Sequence, residues 1–247
     1  MDTPVNSGNP GNGNGLLRKV WRITKRVFLI LFIAQFVYIV LLKWINPPFT
    51  LTQLDSWVTG HGLKRTYVSA AKMSENAKLA VIASEDQLFA DHNGFDFKSI
   101  EKAMKHNSKS KSLRGASTIS QQTAKNVFLW QGRSWLRKAM EIYFTFMIEL
   151  IWGKKRILEV YMNVAEMGDG IFGIEAAAQN NFKKNAARLS QQEAAMIAAC
   201  LPNPKKYTIK PLSRPVNSRY PWIMKQMNNL DGDEDLQPIV EGVKKDN

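Results

Sequence analysis

Residues 134–152 read SWLRKAMEIYFTFMIELIW, and this one stretch points to a helical protein. Ser134 can cap a helix. Leu136, Met140, Tyr143, Phe144, Met147, Leu150 and Ile151 then recur at spacings of three and four, predicting an amphipathic helix from Trp135 to Trp152. Its apolar run between Glu141 and Glu149 is too short to cross a bilayer. Downstream, Lys154 to Ala165 continues the pattern until Gly168-Asp169-Gly170 breaks it, and Ser190-Gln191-Gln192-Glu193 matches a capping box before an apolar helix ending near Cys200. Upstream, Ser117 or Thr118 can open a helix to about Phe128, and Asp96 one to about His106, while Glu75 to Ser84 is Ala-rich and apolar and ends at Glu85. Lys109 to Arg114 is basic and Ser-rich, a mobile loop. With few strand signals and no fixed-period repeat, the expected class is mainly α.

The whole chain has 247 residues and 28.0 kDa, enough for one core-forming domain plus appendages. A hydrophobic fraction of 45% is ordinary for a globular protein and excludes a polytopic membrane protein. Lys and Arg number 34 against 21 Asp and Glu, and this net charge of +13 favours an anionic partner: nucleic acid, anionic lipid or a phosphorylated substrate. The single Cys200 cannot form an internal disulfide, and three histidines with one cysteine show no zinc-ligand spacing.

The expected organisation has five parts. Residues 1–26 are a cytoplasmic tail, Gly-, Asn- and Pro-rich and disordered at first, then basic through Arg18, Lys19, Arg22, Lys25 and Arg26. Residues 27–45 are a transmembrane anchor, apolar apart from Gln35 and Tyr38 up to Leu42, with Lys43 and Trp44 suited to the interface. No Ala-x-Ala cleavage pattern follows, which argues against a removed signal peptide. The basic flank before the span keeps the N-terminus cytoplasmic, so the rest of the chain lies outside the inner membrane. Residues 46–74 are a linker and the start of a first lobe, 75–210 a catalytic domain and 211–247 a C-terminal extension.

Chemistry concentrates in a few short segments. Glu85 follows Val81-Ile82-Ala83-Ser84, and a carboxylate held against apolar surface binds its proton more tightly, as a general base needs. Phe89 reads as core and His92 as a residue that bonds the loop backbone or orients a carboxylate. Ser117 lies at a helix N-terminus, where its hydroxyl and free backbone N–H groups can receive phosphate oxygens. Gln122, Lys125 and Asn126 share a helix face, projecting one cation between two amides. Arg137 and Lys138 precede Glu141 by about one turn, in the weaker order for a stabilising helix ion pair. The cations suit a pyrophosphate, with Glu141 beside them to bond a sugar, hold a divalent ion or tune the cations. Glu149 reads as surface; Glu159, Tyr161 and Asn163 read as support for the site.

In order, Glu-Asp-x-x-Phe-x-x-His-x-Gly from Glu85, Gly-x-Ser-Thr-x-x-Gln-Gln-x-x-Lys-Asn from Gly115, Arg-Lys-x-x-Glu from Arg137 and Lys-x-x-Ile-Leu-Glu-x-Tyr-x-Asn from Lys154, with Leu201-Pro202-Asn203-Pro204 closing the set, resemble the peptidoglycan glycosyltransferases. This family comprises the glycosyltransferase domain of bifunctional penicillin-binding proteins and its monofunctional relatives. The resemblance covers roughly Tyr67 to Tyr207. Too few residues follow for a transpeptidase, so the monofunctional members are the expected kin. Gly153 departs from the serine often found there, which is expected to loosen the helix at Trp152.

The resemblance implies a lysozyme-like, two-lobed α-helical domain that polymerises lipid II onto a growing glycan chain at the inner membrane. It implies Glu85 as the base and Glu141 as a second essential glutamate. It further implies Lys125, Arg137 and Lys138 around the leaving pyrophosphate, with Ser117, Gln122 and Asn126 as hydrogen-bonding partners. It leaves open whether Mg²⁺ or Mn²⁺ assists or the cations suffice, and whether cell-wall synthases are partners. A lysozyme-like hydrolase or lytic transglycosylase would also use a glutamate but needs no pyrophosphate cradle. A non-catalytic membrane scaffold is a second rival. Nucleic-acid binding is disfavoured, because no reading motif occurs and the domain is expected outside the cytoplasm.

Overall fold

A computed structural model describes residues 13–110, 115–132 and 134–241. Most of the expected disordered tail, the end of the Lys109–Arg114 loop and the last residues of the C-terminal extension lie outside the described residues. The chain divides into two units, residues 1–42 and 43–247. The first contains helix α1 (Gly13–Leu41), with an apolar stretch, Leu17–Leu41, long enough to cross a membrane. The helix starts before the basic cluster and stops before Lys43 and Trp44.

The second unit is mainly α. It contains α2 (Leu51–Val58), α3 (Glu75–Glu85), α4 (Phe97–Asn107), α5 (Ile119–Phe128), α6 (Trp135–Ile151) and α7 (Lys154–Val164). After these come α8 (Ile174–Phe182), α9 (Gln191–Cys200), α10 (Arg214–Leu230) and the short α11 (Gln237–Val240). Thr118, not Ser117, caps α5, and its hydroxyl and Gln121 form a capping box. Thr50 and Gln53 form another that opens α2 inside the expected linker. Strands β1 (Lys64–Arg65), β2 (Glu166–Gly168) and β3 (Ile171–Phe172) make a small sheet in the order β1-β3-β2, parallel between β1 and β3 and antiparallel between β3 and β2.

Two helix groups carry the core. In one, α3, α9 and α10 pack on one another. Ala77, Ala80, Val81, Ile82 and Ala83 of α3 and Ala194, Ala195, Ile197, Ala198 and Ala199 of α9 are all buried, and their small side chains let the backbones approach. The stretch expected as a C-terminal extension thus supplies α10 to this core, and the buried Lys78 ammonium donates to the Val240 carbonyl at 2.9 Å, tying α11 down. In the other group, α5 packs on α6 and α7. Phe144, Met147 and Ile148 of α6 face inward, whereas Leu136 and Leu150, expected on the same stripe, are exposed. They join Trp135 (92% exposed), Ile142 and Phe146 on the opposite side.

Asn163 at the end of α7 fixes the start of the domain. Its amide accepts from Val68 N–H and donates to Val68 and Glu159 carbonyls, each at 2.8–2.9 Å, within a fully buried site. Asn163→Ala leaves both Val68 groups without a partner, so it should cost about 3 kcal/mol of stability. Chemical denaturation of the full chain measures this, and an unchanged midpoint would refute the role.

Candidate active site

Glu85 is the last residue of α3, and its side chain is only 14% exposed. The sequence suggested an apolar setting. The structure instead surrounds the carboxylate with polar groups: the Ser84 hydroxyl donates to Oε1 at 3.2 Å, the Gln122 amide donates to Oε2 at 2.9 Å, and Arg219 Nη2 stands 3.9 Å from Oε1. Tyr161 donates its hydroxyl to the Gln122 carbonyl oxygen at 3.1 Å, which turns the Gln122 NH₂ toward Glu85. Burial, followed by the nearby charges of Glu85 and Asp86, raises the Tyr161 phenol well above its ordinary value, so it stays a neutral donor.

The next residue, Asp86, locks the two helix groups together. One oxygen accepts from Ile119 N–H at 3.0 Å, at the start of α5, and the other contacts His92 Nε2 at 3.0 Å. His92 Nδ1 accepts from Gly94 N–H at 3.2 Å, so its proton lies on Nε2 facing Asp86. His92 therefore both bonds the loop and orients a carboxylate. Phe89 is fully buried, as its motif suggested. Gly94 adopts φ +86°, and a Cβ there would meet Thr145 at 2.8 Å and Glu149 at 2.9 Å, so only glycine fits. Glu149, read from sequence as surface, is nearly buried and accepts from Lys154 at 2.7 Å and the Ser120 hydroxyl at 2.5 Å. The sequence hid this because both partners come from other helices.

The cations line an open cavity of about 490 Å³ with Ser117, Gln122 and Glu141. Glu141 is buried, and its two oxygens take Arg137 Nη1 at 2.8 Å and Lys138 Nζ at 2.6 Å. The Lys125 ammonium has no hydrogen bond or ion pair among the described residues. Burial, then the repulsion of Arg137 and Lys138, holds its ammonium below the ordinary lysine value, against the attraction of Glu141 and Glu85. At the first turn of α5 the Thr118, Ile119 and Gln121 N–H groups already bond Gln121, Asp86 and Thr118, so these three do not offer themselves to phosphate oxygens. A second cavity of about 380 Å³ shares Gln122, Lys125 and Gln131 with the first and adds Asn126, Asp55, Glu166 and Lys205. Asn126 thus lines the second cavity and not the first. Burial raises the Glu166 carboxyl above its ordinary value despite a bond from Gly170 N–H at 3.1 Å.

A model of the family described as "Transglycosylase" matches residues 52–228. The chain belongs to the transglycosylase family. It is 47% identical over 230 residues to the biosynthetic peptidoglycan transglycosylase of Stutzerimonas stutzeri, covering 91% of this chain and 95% of that protein. It is 46% identical to the Pseudomonas aeruginosa protein of the same name, over 90% of this chain and 98% of that one. A Salmonella schwarzengrund relative, also so named, is 55% identical over 73% of this chain and 76% of its own length. The expected lysozyme-like transglycosylase fold holds, with one N-terminal apolar helix ahead of it.

Within this transglycosylase domain Ser117, Gln122, Lys125, Arg137, Lys138 and Glu141 converge on one cavity, Glu85 joins it through Gln122, and Asn126 lies next door. Sequence reasoning missed Arg219, Gln131 and Glu166, which belong to no local pattern. Gly153 separates α6 from α7 at φ +76°, a backbone conformation that glycine adopts freely, and open space surrounds the point where a Cβ would sit.

The depressed Lys125 value has a pH consequence. Only the charged ammonium holds an anion, so affinity for inorganic pyrophosphate should fall as pH rises, with a midpoint below 10.5. Lys125→Arg should retain affinity through that range. Calorimetric titration of both chains between about pH 7 and 10 tests this, and identical profiles would exclude Lys125 from the anion site.

Proposed function

We propose that Glu85 is the general base and that Lys125, Arg137 and Lys138 form the leaving-group cradle of a glycosyl transfer from a growing donor chain to lipid II. The chain is a peptidoglycan glycosyltransferase, in keeping with the family match and with the relatives' shared name. One observation carries the division of labour: a partly buried carboxylate, Glu85, is bonded to Gln122, and Gln122 lines a cavity whose cations include one, Lys125, with no anionic partner bonded to it among the described residues.

The chemistry follows from charge. The acceptor sugar brings a 4-hydroxyl to Glu85, which takes its proton as the oxygen attacks the donor's anomeric carbon. The bond from that carbon to the undecaprenyl pyrophosphate breaks with inversion, the α-linked pyrophosphate giving a β-1,4 linkage, and the electron pair leaves with the phosphate. Negative charge grows on the departing group in the transition state, where fixed cations stabilise it more than in the ground state. Glu141 offsets part of the repulsion among Arg137, Lys138 and Lys125, so that three cations can share one cavity. A hydrolase would gain nothing from that cluster.

A divalent ion does not fit at Glu141, because both carboxylate oxygens already face cationic donors at 2.6 and 2.8 Å. We therefore assign the charge stabilisation to the side chains. The apolar stripe of Trp135, Ile142, Phe146 and Leu150 suits contact with lipid or with a polyprenyl tail, and α1 suits a single-pass anchor. The basic cluster before the span supports a cytoplasmic N-terminus and an extracytoplasmic catalytic domain at the inner membrane.

Purified full-length chain with labelled lipid II, followed by muramidase digestion of the product, tests the reading. Glu85→Gln should lower polymerisation by at least about a hundredfold while lipid II still binds within about twofold. Wild-type turnover by that variant would remove Glu85 from the mechanism. Cleavage of finished glycan with no chain growth would favour the lytic alternative.

A further inference from the structure

Arg219 lies 134 residues from Glu85 in the chain, on α10, outside every segment that the motifs mark. Its Nη2 donates to the Ser84 carbonyl at 3.1 Å and stands 3.9 Å from Glu85 Oε1. Its Nε is buried without a hydrogen-bond partner among the described residues. The last carbonyls of a helix have no partners within it, and a residue at that end frays unless other groups take them. At the end of α3 three of these are taken: Ile82 O by Asp86 N–H at 2.9 Å, Ala83 O by the Gln87 amide at 3.1 Å, and Ser84 O by Arg219. Only Arg219 brings a positive charge, and it brings it to the negative end of the helix dipole, beside the carboxylate.

We infer that Arg219 is a positioning residue for the reaction: it clamps the final turn of α3 and holds the Glu85 carboxylate in its working place. The inference rests on the assignment of Glu85 as base. Gln122 from α5 and Arg219 from α10 then approach the carboxylate from two helices, one on each oxygen. The other charged or titratable neighbours are Asp86 in the next position, Lys125 on α5 and Tyr161 on α7. None of these touches the Ser84 carbonyl, so none replaces the clamp. Arg219 lines neither cavity, which separates it from the cations that meet the pyrophosphate. Its effect should therefore fall on turnover and not on substrate affinity.

The test uses the full chain in detergent. Arg219→Gln should lower kcat for lipid II polymerisation by roughly tenfold or more, with KM within about twofold of wild type and an unchanged melting temperature. Arg219→Lys, which keeps the charge and a donor for Ser84, should recover most of kcat. In a Glu85→Gln background, adding Arg219→Gln should leave the lipid II Kd unchanged. A rise in KM or Kd would make Arg219 a substrate contact, and an unchanged kcat would remove it from the mechanism; either overturns the inference. If Arg219→Gln melts early, Arg219→Met takes its place: a loss confined to kcat that Arg219→Lys recovers supports the clamp, and a rise in KM or an unchanged kcat overturns it. Full turnover by Glu85→Gln sinks the base assignment itself and this inference with it, an outcome distinct from normal turnover by Arg219→Gln.

Discussion

The Asp86 carboxylate joins the end of one helix to the start of another. It accepts the Ile119 N–H at the first turn of α5 and the Nε2 proton of His92, so α3 and α5 cannot slide relative to each other without exposing a buried charge. Glu85 sits on one side of that joint, and Gln122 and Lys125 on the other. The arrangement of Glu85 and the cations therefore depends on a residue that lines neither cavity. The surrounding loop serves the same end. Thr118 donates its hydroxyl to Gly94 O at 2.7 Å, and Lys154 bonds both Glu149 and the His92 carbonyl, drawing the loop down onto α6 and α7.

Electrostatics set the second constraint. Three cations in one cavity repel, and burial adds to the cost of charging them. Glu141 offsets this for Arg137 and Lys138 by direct contact, which leaves Lys125 the cation with no bonded partner and a lowered proton affinity. The cavity so lined carries an excess of positive charge. Its unspent positive charge is suited to a group whose negative charge increases during reaction, which is the condition for lowering a barrier rather than merely binding. Glu85 is set differently. Its neighbours are neutral donors and a guanidinium at ion-pair distance, which together hold the carboxylate in place.

Much of the helical plan is legible locally. Ser74, Asp96, Thr118, Ser134 and Ser190 cap the helices that follow them, because a side-chain oxygen can satisfy an orphan N–H two or three residues on whatever the rest of the protein does. Helix α2 carries an equally clear signal in Thr50 and Gln53, but the prolines just before it make its neighbourhood read as a linker. The periodicity of α6 sets its length but not its inner face. Leu136 and Leu150 lie at core spacing yet face outward, since an apolar stripe that wraps the helix leaves the choice of face to its neighbours.

The sequence by itself determined the mainly α class, the apolar N-terminal segment, the excess of positive charge and the ordered residues that suit glycosyl transfer. Each of these follows from composition or from spacings shorter than a few helical turns. Only the tertiary structure decided that Glu85 lies among polar groups, that Asn126 lines a second cavity, that Glu149 is a nearly buried ion-pair partner and that Arg219 bonds the last turn of the helix bearing Glu85. The reason is physical: a side chain's environment is set by whatever packs against it. Those neighbours, from α5, α7 and α10, lie tens to more than a hundred residues away in the chain, beyond the reach of any local pattern.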